Sequence, residues 1–204
     1  MINMEETNKT IDYYNSNAAQ YFSDTVNENM SECCDRFLKY VIPGGRIIDV
    51  GAGSGRDIKY FLDRGYVVEG IDASEEMCRL ASDYTGVKVI CEKIQKWYPQ
   101  AKYDGIWASA CLLHLSYEEI KNFIFLAAEA LNDNGVIYIS MKEGIDTGFD
   151  NNGRFFVNFS KEILDDMLEN SYLKIKTYWE TEDIMHRDDF IWINVILQRD
   201  KNRN

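Results

Sequence analysis

Asp49-Val50-Gly51-Ala52-Gly53-Ser54-Gly55-Arg56-Asp57 lies between a short apolar run, Arg46 to Val50, and a helical stripe of Ile58, Phe61 and Leu62 that stops at Gly65. A turn from strand to helix must bend sharply and let a ligand approach its backbone, and side chains obstruct that approach. Dinucleotide-binding turns place glycines at the first, third and sixth positions of such a segment. Here the sixth position is Arg56, and the glycines fall at the first, third and fifth. Asp49 also stands two residues before the first glycine, where nicotinamide-binding turns usually keep an apolar side chain. Both departures point away from NAD. Further on, Asp72 closes the next apolar run in Gly70-Ile71-Asp72, and a carboxylate there can accept two hydrogen bonds from a ribose diol. A tight turn with Asp72 merely capping a helix at Ser74 would use the same residues.

On either side of this turn the chain alternates strand-like and helix-like pieces. Tyr66 to Ile71 reads as a strand, Ser74 to Tyr84 as a helix with Glu75 and Glu76 at its positive end, and Val87 to Cys91 as a strand. Tyr103 to Ala108 reads as a strand, Ser116 and Glu119 as a capping box, and Ile120, Phe123, Ile124, Ala127 and Leu131 as the buried stripe of a long helix. Asn132 to Gly135 supplies a turn before the apolar run Val136 to Met141. Repeated β/α order predicts a parallel sheet with helices on both faces. Before this core, Ile11, Tyr14, Ala18, Tyr21 and Phe22 mark one amphipathic helix, and Cys34, Phe37, Leu38 and Val41 mark a second. After it, residues 142–158 form a long connection with three glycines, a candidate lid. A short helix follows around Ile163 to Leu168, then strands around Leu173 to Trp179 and Phe190 to Leu197. With no helix between them, these two should pair antiparallel.

A length of 204 residues suits a single core, and 46% hydrophobic residues with only two prolines describe a chain that folds. The expected organisation is one domain over 1–204, with a helical cap at 1–42, a cofactor-binding half at 43–141 and a lid and acceptor-side half at 142–204. A formal charge of −12 repels phosphate backbones and anionic lipid, so neither nucleic acid nor a membrane surface is an expected partner. Cysteines 33, 34, 78, 91 and 111 are odd in number and show no C-x-x-C spacing, so no metal site is expected and a reducing cytoplasm is. The N-terminus lacks a basic region followed by an apolar run, and no apolar stretch is long enough to span a bilayer.

DVGAGSGRD followed by GIDASEEM resembles the first two motifs of class I S-adenosylmethionine-dependent methyltransferases, and the resemblance covers essentially the whole chain. It is similar to the small methyltransferase-domain proteins of the tellurite-resistance and ubiquinone-biosynthesis type. Tyr13 to Tyr21, Ala108 to His114 and Asn152 to Phe156 support it. The resemblance implies a Rossmann-like α/β fold, an open and mostly parallel sheet with an antiparallel last strand, and two N-terminal helices covering S-adenosyl-L-methionine. It also implies that Gly51, Ala52, Gly53 and Gly55 border the cofactor, that Asp49 orients its amino group, and that Asp72, with Ala73, holds the ribose. Met77 and Ile94 would flank adenine, Ser109 and Leu112 would lie beside the methionine chain, and Tyr14 and Tyr21 would cover the ligand. One departure stands out: Lys93 occupies the place where relatives carry an acid that meets the adenine amino group. That contact passes to Glu92, to a backbone group, or to packing alone.

A sulfonium already carries a good leaving group, so the protein must chiefly align the reactants and exclude water, which can contribute about 7 to 11 kcal/mol. A base is needed only for an acceptor that is protonated at working pH. His114, at the exit of the fourth strand, is the candidate base, although a histidine there can equally cap the following turn. Arg154 and Arg187 can clamp an anionic substrate, and Trp192 can line its pocket; all three suit a small-molecule acceptor. Two other functions use the same turn: an NAD-dependent oxidoreductase, and a protein that binds S-adenosylmethionine without turnover.

Overall fold

The computed structural model describes residues 4–169, 171–184 and 190–199. Strand β1 (Arg46–Val50) has alternating side chains that face two different cores: Ile47 packs into one and Ile48 and Val50 into the other. The chain then runs through helix α4 (Arg56–Leu62), β2 (Val67–Asp72), α5 (Glu75–Thr85), β3 (Val89–Cys91), β4 (Tyr103–Ser109), α6 (Tyr117–Ala130) and β5 (Leu131–Glu143). Helix α7 (Lys161–Leu168) leads to β8 (Leu173–Glu182) and β9 (Ile191–Arg199). The seven strands lie in the order β3-β2-β1-β4-β5-β9-β8. Pairing is parallel from β3 through β5, while β9 runs antiparallel to both β5 and β8. The last strand is thus the reversed one, and it sits inside the sheet rather than at its edge.

Helices cover both faces. On one, Phe123, Ile124, Leu164 and Leu168 pack on Ile106, Ile137, Ile139 and Val195. On the other, Phe37, Ile58, Phe61 and Ala81 pack on Ile47, Trp107, Tyr138 and Ile196. Trp107 and Tyr138 stack there at 3.8 Å, and the indole N–H of Trp107 donates to Asp57, 2.8 Å away. The expected capping box is present. Ser74 accepts the Met77 N–H at the start of α5, and Ser116 and Glu119 form the reciprocal box at the start of α6.

Two expectations are corrected, and the candidate lid gains internal structure. The first N-terminal pattern is two helices, α1 (Met4–Ser16) and α2 (Ala18–Thr25), because Asn17 leaves helical geometry (φ −113°, ψ 13°) and its side-chain amide bonds the Tyr13 carbonyl at 2.8 Å. With α3 (Ser31–Leu38), three helices precede the sheet. The turn expected at Asn132 to Gly135 is instead an irregularity inside β5, where the register jumps from Tyr103 opposite Leu131 to Gly105 opposite Val136. The 142–158 connection carries a small hairpin of β6 (Gly148–Phe149) and β7 (Phe155–Phe156), and this hairpin is docked. The Phe155 N–H donates to Thr10 of α1 at 2.9 Å, and the Val157 N–H to the Leu113 carbonyl at 2.9 Å.

Candidate active site

Strand order reverses between β1 and β4, and open α/β sheets bind ligands in the crevice beyond the carboxyl ends of the strands at such a point. The turn after β1 forms one wall. Its Gly51 and Ala52 N–H groups donate to the Ile71 carbonyl at 2.9 and 3.0 Å, and the Gly53 N–H donates to Asp72 Oδ2 at 2.9 Å. The Ser74 N–H donates to Asp72 Oδ1, also at 2.9 Å. Each Asp72 oxygen therefore takes one backbone N–H and keeps a further lone-pair direction for a hydroxyl donor. Desolvation holds the Asp72 carboxyl above its ordinary pKa, against hydrogen bonds from the Ser74, Gly53 and Ala73 backbone. Gly51 needs its left-handed φ of +74°, and a Cβ there would lie 2.3 Å from that of Cys111. Gly55 meets Thr85 and Ala81 of α5, so its missing side chain serves close packing of the two helices.

The opposite wall comes from the end of β4, where Ala110 adopts a φ of +54°, strained for a residue with a Cβ. The Ala110 N–H is fixed by Ser140 Oγ at 2.9 Å. Between the walls run two adjoining cavities of about 180 and 110 Å³ that share Tyr14, Tyr21, Gly51, Gly53, Ser109, Ala110 and His114. The smaller adds Asp72, Ala73, Met77 and Ile94, a carboxylate beside an apolar slot. The larger adds Ala52, Ser140, Lys142, Arg154, Phe156 and Trp192 among others.

Tyr14 and His114 stand where the cavities meet. His114 Nδ1 lies 2.6 Å from the Phe155 carbonyl, which can only accept, so Nδ1 carries the proton. Nε2 is then the acceptor of the Tyr14 hydroxyl at 2.9 Å. Desolvation, reinforced by the charges of Arg154 and Lys142, lowers the His114 pKa to about 4, and desolvation raises that of the Tyr14 hydroxyl. The neutral imidazole is the folded form. Stability from this pair should be complete above the ordinary pKa near 6.5 and drain away as pH falls toward 4, since the unfolded chain takes up the proton first. Thermal unfolding across that window should show His114→Gln flattening the acid decline; an unchanged slope would refute the lowered pKa of His114.

The floor of the larger cavity is a sheet face. Pairing sets Ser109 opposite Ser140, Ser140 opposite Asn194, and Lys142 opposite Trp192, which faces Thr181. Period-two alternation puts these side chains on one face while Ile139, Met141, Ile193 and Val195 enter the core behind. Asn194, 1% exposed, accepts the Tyr138 hydroxyl at 2.6 Å and donates to Thr181 at 3.0 Å. Arg154, on the hairpin, donates through Nε and Nη2 to the single oxygen Asp150 Oδ2 at 2.9 and 2.7 Å.

Of the residues singled out from sequence, Tyr14, Tyr21, Gly51, Ala52, Gly53, Asp72, Ala73, Met77, Ile94, Ser109, His114, Arg154 and Trp192 line the cavities. Asp49 is buried behind the turn, where desolvation and then Asp57 push its carboxyl well above the usual range. Leu112 is buried in the core, and Lys93 bonds Asn8 at 2.8 Å. Glu92 accepts the Lys93 N–H, while Gln95, not foreseen, lines the smaller cavity. Arg187 lies outside the described residues. Ser140, Lys142, Phe156 and Asn194 were also missed, although polar residues recurring at every second position of otherwise apolar strands are a readable signal.

A family model described as a methyltransferase domain matches residues 22–186. An uncharacterised methyltransferase of Staphylococcus carnosus is 23% identical over 200 residues, covering 87% of this chain and 94% of that one. The N-terminal Xaa-Pro-Lys N-methyltransferase 1-A of Xenopus laevis is 30% identical over 100 residues, which span 45% of each chain. Among solved structures, the 1,6-didemethyltoxoflavin-N1-methyltransferase of Burkholderia thailandensis superimposes with a TM-score of 0.80 at 18% identity, over 98% of this chain and 91% of that one. Among the described residues, no helix is long and apolar enough to cross a membrane.

Proposed function

This chain belongs to the methyltransferase-domain family and is an S-adenosylmethionine-dependent methyltransferase; from that premise we propose that its acceptor is a small molecule held in the larger cavity. The residues fit the cofactor. The smaller cavity offers an apolar slot at Met77 and Ile94 for a nucleobase, Asp72 for a ribose diol, and at Gly51 a backbone that no Cβ could occupy. The observation that carries the reading is the continuity of this slot with the larger cavity through Tyr14, Gly51, Ser109 and His114. When bound, S-adenosylmethionine supplies an electrophilic methyl group on a sulfonium.

The protein's own work is then positional. Tyr14 on α1 and Tyr21 on α2 roof the junction and exclude water, and the Ala110 turn, held by Ser140, sets the width of the crevice. His114 Nε2 holds the Tyr14 hydroxyl, so a lone pair of the phenolic oxygen is left for an acceptor N–H or O–H. The Tyr14 oxygen can thus orient an acceptor N–H or O–H, while the lowered pKa of His114 keeps the imidazole neutral, so the pair positions the acceptor and does not store its proton. Arg154 and Trp192 flank the acceptor side. This assigns residues 1–42 to the cover, 43–141 to cofactor binding and 142–204 to the acceptor side.

Calorimetry is expected to show S-adenosylhomocysteine binding the full chain and NADH failing to bind; the reverse would overturn the cofactor assignment. With methyl-labelled cofactor and a cell extract, label should enter the small-molecule fraction. Label confined to precipitated protein would replace the small-molecule acceptor with a polypeptide.

A further inference from the structure

Phe155 is held through both of its backbone groups, and the two holders belong to different segments of the chain. In the hairpin it stands opposite Phe149, while the neighbouring Arg154 carbonyl accepts the Asp150 N–H at 2.9 Å. An antiparallel ladder alternates residues that bond across it with residues whose N–H and C=O point outward, and Phe155 is of the second kind. Both outward groups are caught. The N–H donates to Thr10 Oγ1 at 2.9 Å, and the carbonyl accepts from His114 Nδ1 at 2.6 Å. His114 Nε2 in turn accepts the Tyr14 hydroxyl at 2.9 Å. Tyr14 follows Thr10 by four residues on α1, so the two side chains leave one face of that helix. The bonds close a circuit from Thr10 through Phe155, His114 and Tyr14 back along one turn of helix.

We propose that Thr10 is a positioning residue for methyl transfer: by fixing Phe155 it selects the Nδ1–H tautomer of His114, and so aims the Tyr14 hydroxyl at Nε2. This rests on the Tyr14–His114 pair facing a small-molecule acceptor in the larger cavity. A neutral imidazole has one donor and one acceptor nitrogen, and the hydrogen bond made by one decides the role of the other. In the Nε2–H tautomer the roles reverse. Nδ1 would then set a lone pair against the Phe155 carbonyl, and Tyr14 would have to accept from Nε2–H and turn its own proton elsewhere. An acceptor N–H or O–H would lose the phenolic lone pair that now awaits it. Thr10 is 5% exposed and Phe155 8%, so their hydrogen bond is shielded from water. Valine at position 10 would fill the same volume and leave the Phe155 N–H unpaired. A buried amide in that state shifts to find a partner and carries its carbonyl with it. Thr10 lines the smaller cavity, whereas Tyr14 and His114 line both, so the effect on the acceptor runs through Phe155 and the imidazole.

Nitrogen NMR of the full chain at about pH 8 tests this, because desolvation lowers the His114 pKa to about 4 and the ring is neutral there. The chain has two histidines, 114 and 186, and the signal lost in His114→Gln is the one to follow. The unaltered chain is expected to show His114 as Nδ1–H; an Nε2–H ring overturns the proposal at once. Thr10→Val should shrink the Nδ1–H excess by about tenfold, the scale of one hydrogen bond, and Thr10→Ser, which keeps the hydroxyl, should preserve it. Thr10→Ala gives the same reading should the valine chain not fold. With methyl-labelled cofactor and a cell extract, transfer into the small-molecule fraction should fall about tenfold or more in Thr10→Val and return in Thr10→Ser. An unmoved tautomer in Thr10→Val, a serine chain that behaves like the valine one, or a moved tautomer with transfer unchanged would each overturn the proposal. Label absent from the small-molecule fraction of the unaltered chain would instead strike the acceptor reading, and the positioning role would fall with it.

Discussion

Asp72→Ala is expected to weaken S-adenosylhomocysteine binding by about 1.5 to 3 kcal/mol, the range for hydrogen bonds to a charged group, or roughly 10- to 150-fold in Kd. Two losses combine. The carboxylate lines the slot beside Ala73, Met77 and Ile94, so a ribose diol would lose its acceptor there. The same carboxylate receives the Gly53 and Ser74 N–H groups at 2.9 Å, so the glycine turn also loses its tie to the end of β2. Asp72→Asn separates the two contributions. One amide oxygen can still accept a backbone N–H, but the amide nitrogen opposes the other, so an intermediate affinity is expected. Because desolvation already raises the Asp72 pKa, affinity should decline as acid protonates it in the free protein. Titration calorimetry reads both variants, and an unchanged Kd for Asp72→Ala would remove the ribose assignment.

The parallel half of the fold was legible because each element announces itself locally. Arg46 to Val50 is apolar at strand length, Ser74 and Ser116 cap real helices, and Gly65 and Gly86 stop two of them in left-handed conformations. The residues that line the smaller cavity were legible for the same reason, since many of them sit on the ends of those elements close to the turn. What sequence could not supply depends on contacts between distant segments. The break at Asn17 turns on one side-chain bond to Tyr13, and the docking of the 142–158 hairpin turns on Thr10 and Leu113. The floor of the larger cavity lies between these cases. Tyr138, Ser140 and Lys142 alternate with Ile139 and Met141, and Trp192 and Asn194 alternate with Ile193 and Val195. That polar face is visible in the letters, but its partners become known only once β9 is seen to lie beside β5.

Gly51→Ala should lower the unfolding free energy by about 2 kcal/mol or more and abolish detectable S-adenosylhomocysteine binding, because two independent costs meet at one atom. The first is backbone strain, about 1 to 3 kcal/mol for holding a side-chain-bearing residue in the left-handed region; Gly51 sits at φ +74°. The second is overlap, since the added Cβ would lie 2.3 Å from Cys111 Cβ and 3.1 Å from its Sγ. Cys111 has little room to yield, following Ala110 at φ +54°, whose N–H is held by Ser140. Both cavities are lined by Gly51, so any shift of the turn that relieves the overlap displaces the shared wall. A second-site series tells the two costs apart. Cys111→Ala keeps the offending Cβ and should rescue neither stability nor binding, whereas Cys111→Gly removes it and should restore part of the stability, leaving only the φ penalty. Chemical denaturation of the three variants decides the matter. Equal rescue by alanine and glycine would mean that contact with Cys111 is not what makes a glycine necessary at the head of this turn.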